Sequence, residues 1–308
     1  MDRFEEMRTF VRVVEAGSLS AAADRLDIAK SAVSRRLAEL ESRLGVQLLN
    51  RTTRRLNLTD SGSIFYQRCL RILADLEESE QYVSSEHTNL RGTIRIAAPL
   101  TFGVHHLSPL LNDFLKEHPE LSLDLDLNDR NINLMDEGVD LGIRIGKLQD
   151  STMMARKLAS ARMLLCASPE YLQQHGEPQS PEDLKEHFGL SYSNISEGHL
   201  WQFTHEDGKS YSVHVPFRMR ANNGEVLHKA ALDGLGIVAT VSFICYRELE
   251  QGRLKQILSD YKTEEVGIYA IYPSQRHLPG RVRLLIDYLA ERFGDEPYWD
   301  KCILRKNR

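Results

Sequence analysis

A short stretch near the N-terminus combines small and basic side chains at the spacing of one exposed helical face. Apolar residues recur there at steps of four, three and four, which predicts an amphipathic helix; they are Val33, Leu37, Leu40 and Leu44. The opposite side carries short or basic side chains and no acid, and its members are Lys30, Ser31, Ser34, Arg35 and Ala38. A narrow face with hydrogen-bonding groups can enter a DNA major groove and contact base edges, so this helix is predicted to read DNA.

The residues around this helix predict the elements that would position it. Upstream, Ser18 is placed to cap a short helix that ends before a tight turn at 27–29, which is the helix-turn-helix pattern. Downstream, Gly45 stops the helix, and two short segments, 46–49 and 56–58, flank a basic tip. This arrangement predicts a β-wing that reaches phosphates or a minor groove. The residues predicted to contact phosphates or to serve the wing are Arg36, Arg51, Arg54 and Arg55.

The charge of the chain changes along its length. Residues 30–55 hold seven basic and two acidic residues, whereas the whole chain has a net charge of −5. A basic island in an acidic protein is the electrostatic footprint of nucleic-acid binding. The alternative is the solvated face of an ordinary helical bundle, because patterns that form three helices are common.

The N-terminal region resembles the LysR-type transcriptional regulators. The resemblance rests on Ala-Val-Ser-Arg-Arg-Leu at 32–37, Leu-Glu-x-x-Leu-Gly at 40–45 and Leu-x-Leu-Thr-x-x-Gly at 56–62. It implies a winged helix-turn-helix and a transcription factor that binds double-stranded promoter DNA. The chain departs from many members at Lys30 and Ser31, where they carry Gln-Pro. This departure concerns the target sequence rather than the act of binding DNA.

A long helix is predicted to follow, from Ser63 to about His87. Its apolar residues fit a heptad seam that Ser79 interrupts, and they are Phe65, Cys69, Ile72, Leu76 and Val83. Such a helix would be ~38 Å long, which favours a projecting element that pairs with a second copy. The alternative is a single helix packed on its own domain. In the resembled family this linker helix is the dimerisation element, and the family also implies tetramers.

The pattern and the resemblance together divide the chain into four parts. These are a winged helix-turn-helix domain at 1–59, a linker helix at 60–88, a hinge at 89–92 and an effector-binding domain at 93–308. After the hinge, strands alternate with helices, which predicts an α/β fold with a largely parallel sheet.

The larger part resembles the LysR co-inducer domain, which has the two-lobed fold of a periplasmic binding protein. The matching motifs include Phe102-Gly103, the stretch at 137–146 and the stretch at 232–237. By that resemblance the lobes are 93–163 with 268–308, and 164–267.

A ligand cleft is expected between the lobes, at the carboxyl edges of strands, where helix N-termini expose free N–H groups. The residues predicted to contact the effector are Thr101, Phe102, Arg144, Ser193, Asn222 and Asn223. Arg144 could supply a positive charge, so the expected effector is a small molecule, with an anion as the class that this set would suit. The alternative is turn chemistry, since Thr, Ser and Asn cap helices in many proteins and Arg144 could pair with Asp140.

Several other chemistries are disfavoured by the sequence. Residues 234–239 match the dinucleotide pattern G-x-G-x-x-A, but they follow a predicted helix and open a predicted strand, which is the wrong order. The four cysteines form no C-x-x-C pair, and the sequence holds neither a G-x-S-x-G elbow nor a P-loop. We therefore expect no metal, no cofactor and no enzymatic activity.

The N-terminus is charged and no apolar run approaches ~20 residues, so we expect no secretory signal, no membrane partner and a cytoplasmic location. The rival classes are a small-molecule binding or transport protein, since the larger part resembles one, and an enzyme that uses the cleft. The basic N-terminal unit and the charged N-terminus count against the first rival.

Overall fold

The computed structural model of the chain describes residues 2–51, 56–83, 90–129, 138–146, 153–194, 200–205, 207–262, 265–273 and 278–301. The chain forms two compact units, Met1–Asn89 and Leu90–Arg308, and each unit has a hydrophobic core of its own. Among the described residues, no helix combines the length and the apolar character that crossing a membrane requires.

Short helices and a two-stranded wing build the first unit. In order, its elements are α1 (Arg3–Ala16), α2 (Leu19–Leu26), α3 (Lys30–Leu44), β1 (Leu49–Arg51), β2 (Leu56–Leu58) and α4 (Asp60–Val83). The Ser18 side chain caps α2 by accepting the amide hydrogen of Ala21 at 3.1 Å, and Gly45 ends α3 in the left-handed conformation at φ 69°. Local caps therefore set these helix ends, and the predicted helix-turn-helix is confirmed.

The wing is shorter at its start than predicted. Strand β1 begins at Leu49 rather than at Val46, which is 45% exposed. Strands β1 and β2 pair antiparallel, with Asn50 opposite Asn57. The predicted tip falls on 52–55, which lies outside the described residues.

The predicted seam of α4 is wrong in its first half. Phe65 and Cys69 pack into the core of their own unit, and Cys69 is fully buried. Ile72, which also belongs to the predicted seam, is 40% exposed, and Ile64, which does not, is 61% exposed. The heptad interpretation fails here because the core of the small N-terminal unit takes the apolar face of α4, as the alternative foresaw.

A mixed sheet organises the second unit. Its order is β10-β7-β11-β6-β14-β5-β3-β4, with β12 added on β6. The strands of this sheet are β3 (Gly92–Ala98), β4 (Leu121–Leu127), β5 (Leu141–Ile145), β6 (Met153–Ala167), β7 (Gly189–Tyr192), β10 (Phe217–Ala221), β11 (Ile237–Val241), β12 (Lys255–Gln256) and β14 (Glu265–Pro273). A smaller sheet contains β8 (Leu200–His205), β9 (Ser210–His214) and β13 (Tyr261–Lys262).

The prediction of a largely parallel sheet holds within each half of the sheet but not across its centre. The pairs β3–β4, β3–β5, β7–β10 and β7–β11 are parallel, whereas β5, β14, β6 and β11 pair antiparallel in the centre. The cause is the long strand β6, which pairs with β14 up to Arg162 and with β11 from Met163. One strand thus carries the chain from one half of the sheet to the other without a helical crossover.

Helices cover this sheet. They are α5 (Leu100–Phe102), α6 (Ser108–Glu117), α7 (Pro169–His175), α8 (Gly224–Leu232), α9 (Ser242–Glu250) and α10 (Gly280–Phe293). A π-helical turn, Gly103–Leu107, joins α5 to α6. The wider turn changes the helical register, so Val104, which the spacing predicts to lie inward, is 48% exposed while His106 is buried.

The segment after α10 is part of the core. A short 3₁₀ turn, Tyr298–Asp300, places Trp299 among Phe102, Phe243 and Phe293, where its side chain is fully buried. The Trp299 indole Nε1 donates to the carbonyl oxygen of Ser160 at 3.1 Å. The sequence alone gave this tail no role, and the structure shows that its start closes the core of the second unit.

Candidate nucleic-acid interface and effector cleft

The outer face of α3 is accessible. Lys30, Ser31 and Arg35 are exposed, and Ser34 is partly exposed. Arg35 is the longest of them, and its Nε lies 3.9 Å from a Glu39 carboxylate oxygen, with side-chain exposures of 70% and 39%. An exposed pair of this kind contributes little to stability, so Arg35 can exchange Glu39 for another acceptor at small cost.

Two ion pairs fasten α3 to α1. Arg36 Nη1 lies 3.0 Å from Glu5 Oε2 and donates to Thr9 Oγ1 at 3.2 Å. Arg43 Nη2 donates to Glu6 Oε2 at 2.5 Å, and the Glu6 side chain is 5% exposed. These contacts hold α3 at a fixed angle on the unit. Arg36 thus supports α3 through Nη1, and its side chain is 25% exposed, so its predicted contact with a phosphate stays a prediction.

The remaining wing residues of the prediction are less completely described. Arg51 is the last residue of β1, and the structure does not describe its side chain. Arg54 and Arg55 lie outside the described residues. Their assignment to phosphates stays a prediction.

Glu41, on the side of α3 that faces the wing, was not singled out from the sequence. Its Oε1 accepts the amide hydrogens of Leu48 at 2.8 Å and Leu49 at 3.2 Å. One carboxylate therefore ties the helix to the first residues of the wing. The sequence held one sign of this role. Glu41 belongs to the motif Leu-Glu-x-x-Leu-Gly and lies on neither the apolar face nor the outer face of α3.

The junction between wing and α4 is tightly packed. The amide of Thr59 donates to the Leu48 carbonyl at 3.0 Å, and the amide of Gly62 donates to Thr59 Oγ1 at 2.9 Å. A Cβ atom at Gly62 would collide with the carbonyl group of Leu48. Glycine is required there because the backbones of α4 and the wing meet too closely for any side chain.

In the second unit, the predicted cleft residues Thr101 and Asn223 both follow the carboxyl end of a strand. Asn223 follows β10, and its Nδ2 donates to Thr101 Oγ1 at 3.2 Å and to Asp129 Oδ2 at 3.0 Å. Its Oδ1 accepts the amide hydrogens of Glu225 and Val226, which caps α8. Asn223 thus bridges the strand ends of β3 and β4 to those of β7 and β10. It also caps a helix, which is the role that turn chemistry alone would give it.

Ser193 and Asn222 belong to the same junction. The amide of Ser193 donates to the Ala221 carbonyl at 2.9 Å, and Asn222 is exposed. A neighbour that the sequence did not single out, Asn194, joins the halves: its Nδ2 donates to the backbone oxygen of Asp129 at 2.7 Å. Asp129 also accepts the amide hydrogen of Leu100 at 3.0 Å, so it is the common acceptor of this junction.

Arg144 is half-buried near the end of β5. Burial lowers the pKa of its guanidinium from the ordinary value, but an arginine remains charged. Asp140, which the alternative offered as its partner, accepts the amide hydrogen of Arg95 at 2.8 Å through Oδ2.

The ring of Phe102 lies in the core of the second unit. Its side chain is fully buried and packs edge-on against Phe243 and Trp299, with ring centroids at 5.3 and 6.1 Å. An aromatic ring enclosed in this way holds the helix in place, and an effector contact through the Phe102 backbone stays a prediction. Trp201 is 9% exposed and packs in a separate core cluster of the second unit. Residues 234–239 follow helix α8 and lead into strand β11, which confirms the element order that disfavours a dinucleotide site.

Groups of three or more His, Cys, Asp or Glu side chains that could hold a metal ion do not occur among the described residues.

Two family models match the chain. One is described as the bacterial regulatory helix-turn-helix protein of the lysR family and matches residues 4–63. The other is described as the LysR substrate binding domain and matches residues 87–294.

Relatives and solved structures match over almost the whole chain. The transcriptional regulator CrgA of Neisseria meningitidis is 36% identical over 292 residues, which are 94% of this chain and 97% of CrgA. The solved structure of CrgA has a TM-score of 0.61 at 35% identity and covers 96% of this chain and 100% of its own. The full-length virulence activator AphB of Vibrio cholerae has a TM-score of 0.58 at 30% identity, covering 94% and 99%.

Proposed function

Because this chain belongs to the LysR-type transcriptional regulators, which bind DNA through one domain and an effector through the other, we propose how its own residues divide that work. The first unit binds promoter DNA, and the second unit adjusts that binding to the level of a small molecule. The observation that carries the proposal is the accessible outer face of α3, held rigidly on α1 by the Arg36–Glu5 and Arg43–Glu6 pairs.

Lys30, Ser31, Ser34 and Arg35 are assigned to the major groove. Arg35 is the residue that discriminates, because a guanidinium can donate two hydrogen bonds to one guanine. Arg51, Arg54 and Arg55 are assigned to phosphates around the wing, where they add affinity without reading sequence. Arg36 is assigned first to holding α3 on α1, because Glu5 and Thr9 occupy its Nη1, and second to a phosphate beside α3.

The protein acts as a homodimer, and two dimers form a tetramer. Ile64 and Ile72 support this proposal, since both are exposed apolar side chains on α4 while Phe65 and Cys69 pack in the core. Two reading helices on a two-fold axis would then contact half-sites ~34–36 Å apart. The dimer and tetramer are the assembly that the family suggests for this chain.

The effector site is the junction of Thr101, Arg144, Ser193, Asn222 and Asn223. Asn223 donates a hydrogen bond to Thr101 in this structure, so a ligand that enters the junction competes for the hydrogen-bonding groups of both side chains. An anion suits this site because Arg144 stays charged while half-buried. Binding shifts the balance between lobe positions and thereby the DNA sites that the assembly holds.

The protein is further proposed to work in the cytoplasm, where promoters are, and to catalyse no reaction. The rival transport and enzyme functions lack support from the family matches, which name transcriptional regulators over both units. The test is chromatin immunoprecipitation of the full chain, followed by gel shifts on the recovered promoter fragments. Recovery of fragments that the purified protein prefers over bulk DNA is expected. Turnover of small molecules without such preference would favour the enzyme.

A further inference from the structure

A groove of about 930 Å³ runs beside α3, between that helix and the wing. Its walls include Ser42, Gln47, Asn50 and Asn57, which all carry neutral hydrogen-bonding groups. We propose that this groove binds the sugar–phosphate backbone of the DNA strand that borders the base pairs read by α3. The inference rests on the proposed function and extends it from the arginines to four neutral residues.

The position of the groove connects it to the reading face. Ala38 and Ser42 line the groove, and they continue the outer face of α3 beyond Ser34 by one and two helical turns. When α3 lies in the major groove of DNA, the phosphates beside that helix lie against the neighbouring protein surface. On the side of the wing, this surface is the protein groove between α3 and the wing.

The wing supplies matched donors on the other wall. Asn50 and Asn57 stand opposite each other in the β1–β2 register, and both are exposed. Their neighbour Leu49 is buried, and side chains alternate along a strand, so the two amides lie on the solvent side of the wing. Carboxamide N–H₂ groups and serine hydroxyls are ordinary donors to phosphate oxygens.

An acid in the wall would ordinarily repel a phosphate. Glu41 lines the groove, but its Oε1 is committed to the amide hydrogens of Leu48 and Leu49. Hydrogen bonds to a carboxylate stabilise its charge, and here they aim it at the backbone. Glu41 therefore keeps its charge with Oε1 held against the backbone, and the groups that can donate to a strand in the groove are Ser42, Gln47, Asn50 and Asn57.

Neutral contacts leave a distinctive trace in the salt dependence. Each lysine or arginine that neutralises a phosphate releases counterions and steepens the dependence of affinity on salt, whereas a neutral donor adds affinity without changing the slope. Loss of the groove contacts must therefore weaken binding while the slope stays the same.

The test compares the full chain with the double variant Asn50→Ala/Asn57→Ala and with Ser42→Ala, by fluorescence anisotropy on a short duplex of mixed sequence at several salt concentrations. The double variant should bind roughly 10- to 30-fold more weakly and Ser42→Ala roughly threefold to tenfold more weakly, with unchanged salt slopes. Asn112→Ala, an exposed substitution on α6, is the matched control and should bind as the unsubstituted chain does.

Two results would overturn the groove contact and leave the proposed function standing. One is unchanged affinity in both groove variants. The other is a loss accompanied by a shallower slope, which would mean that the wing arginines had been displaced. A failure of the unsubstituted chain to bind any duplex would instead overturn the groove contact and the proposed function together. Ser42→Ala keeps the result interpretable, because alanine on an exposed helix position does not disturb the wing.

Discussion

The amide of Leu48 donates to Glu41 Oε1 at 2.8 Å, and together with the amide of Leu49 this contact joins the reading helix to the base of the wing. We predict that Glu41→Ala frees the amides of Leu48 and Leu49, which then exchange with solvent roughly 10- to 100-fold faster, since each loses an acceptor. Hydrogen–deuterium exchange of peptides covering residues 46–58 measures this. Glu41→Gln keeps an acceptor oxygen and should stay close to the unsubstituted chain. Equal exchange in Glu41→Ala and in the control Glu39→Ala would show that Glu41 does not hold the wing.

Arg35 should set sequence discrimination. Its pair with Glu39 is exposed at 3.9 Å, so the guanidinium is available to a guanine. Arg35→Ala should lose ~1–3 kcal/mol of binding to a preferred promoter fragment and much less on mixed-sequence DNA. Competitive gel shifts with both DNAs report the difference, and Arg12→Ala on α1 serves as the control. An equal loss on the two DNAs would reassign Arg35 to a phosphate.

Thr101 should transmit the effector signal. Thr101→Val keeps the size of the side chain and removes the oxygen that accepts from Asn223. A promoter–reporter fusion in the native host should then lose its response to the effector, while gel shifts with the purified variant remain unchanged. Thr93→Val, an exposed change on the same lobe, should keep the response. If DNA binding falls together with the response, Thr101 is a structural residue.

His106 predicts a pH dependence of stability. Its Nε2 lies 3.0 Å from the Phe243 carbonyl, which can only accept, so Nδ1 is unprotonated and accepts from the hydroxyl of Tyr298. Burial lowers the pKa of His106 from 6.5 to about 4. As the pH falls through 6.5, the unfolded chain takes up the proton first, so the free energy of unfolding falls between pH 6.5 and about 4.

The expected contribution at pH 5 is a loss of about 2 kcal/mol relative to pH 8. Trp299, whose ring centroid lies 5.1 Å from that of His106, provides a local fluorescence signal for urea denaturation. His106→Gln should remove this part of the pH dependence, whereas His105→Gln, on the exposed neighbour, should retain it. A pH profile that is identical in both variants would contradict a buried neutral His106.

Features set by short-range chemistry could be predicted from the sequence. Ser18 and Gly45 fix helix ends within a few residues of themselves, so α2 and α3 were placed correctly. The junction of Thr101 and Asn223 could also be located, because both follow strands at the same sheet edge. The resemblance to the LysR-type regulators added the identification of the N-terminal unit as a DNA-binding domain.

Features set by distant partners could not be predicted. Arg36 lies opposite Glu5, 31 residues away, and its spacing on α3 gives no sign of that pair. His106, in the π-helical turn, contacts Phe243 and Tyr298, 137 and 192 residues away, and the local spacing gives no sign of these partners. The mixed sheet likewise follows from one uninterrupted strand, β6, whose length the local pattern did not indicate.

The most direct measurement is the dissociation constant of the full chain for a footprinted promoter fragment and for a mixed-sequence duplex of equal length, in the same moderate salt. Specific readout by α3 predicts a preference of roughly 1,000-fold or more for the promoter fragment. Equal dissociation constants for the two duplexes would contradict the account, because the Lys30–Arg35 face would then bind DNA without reading it.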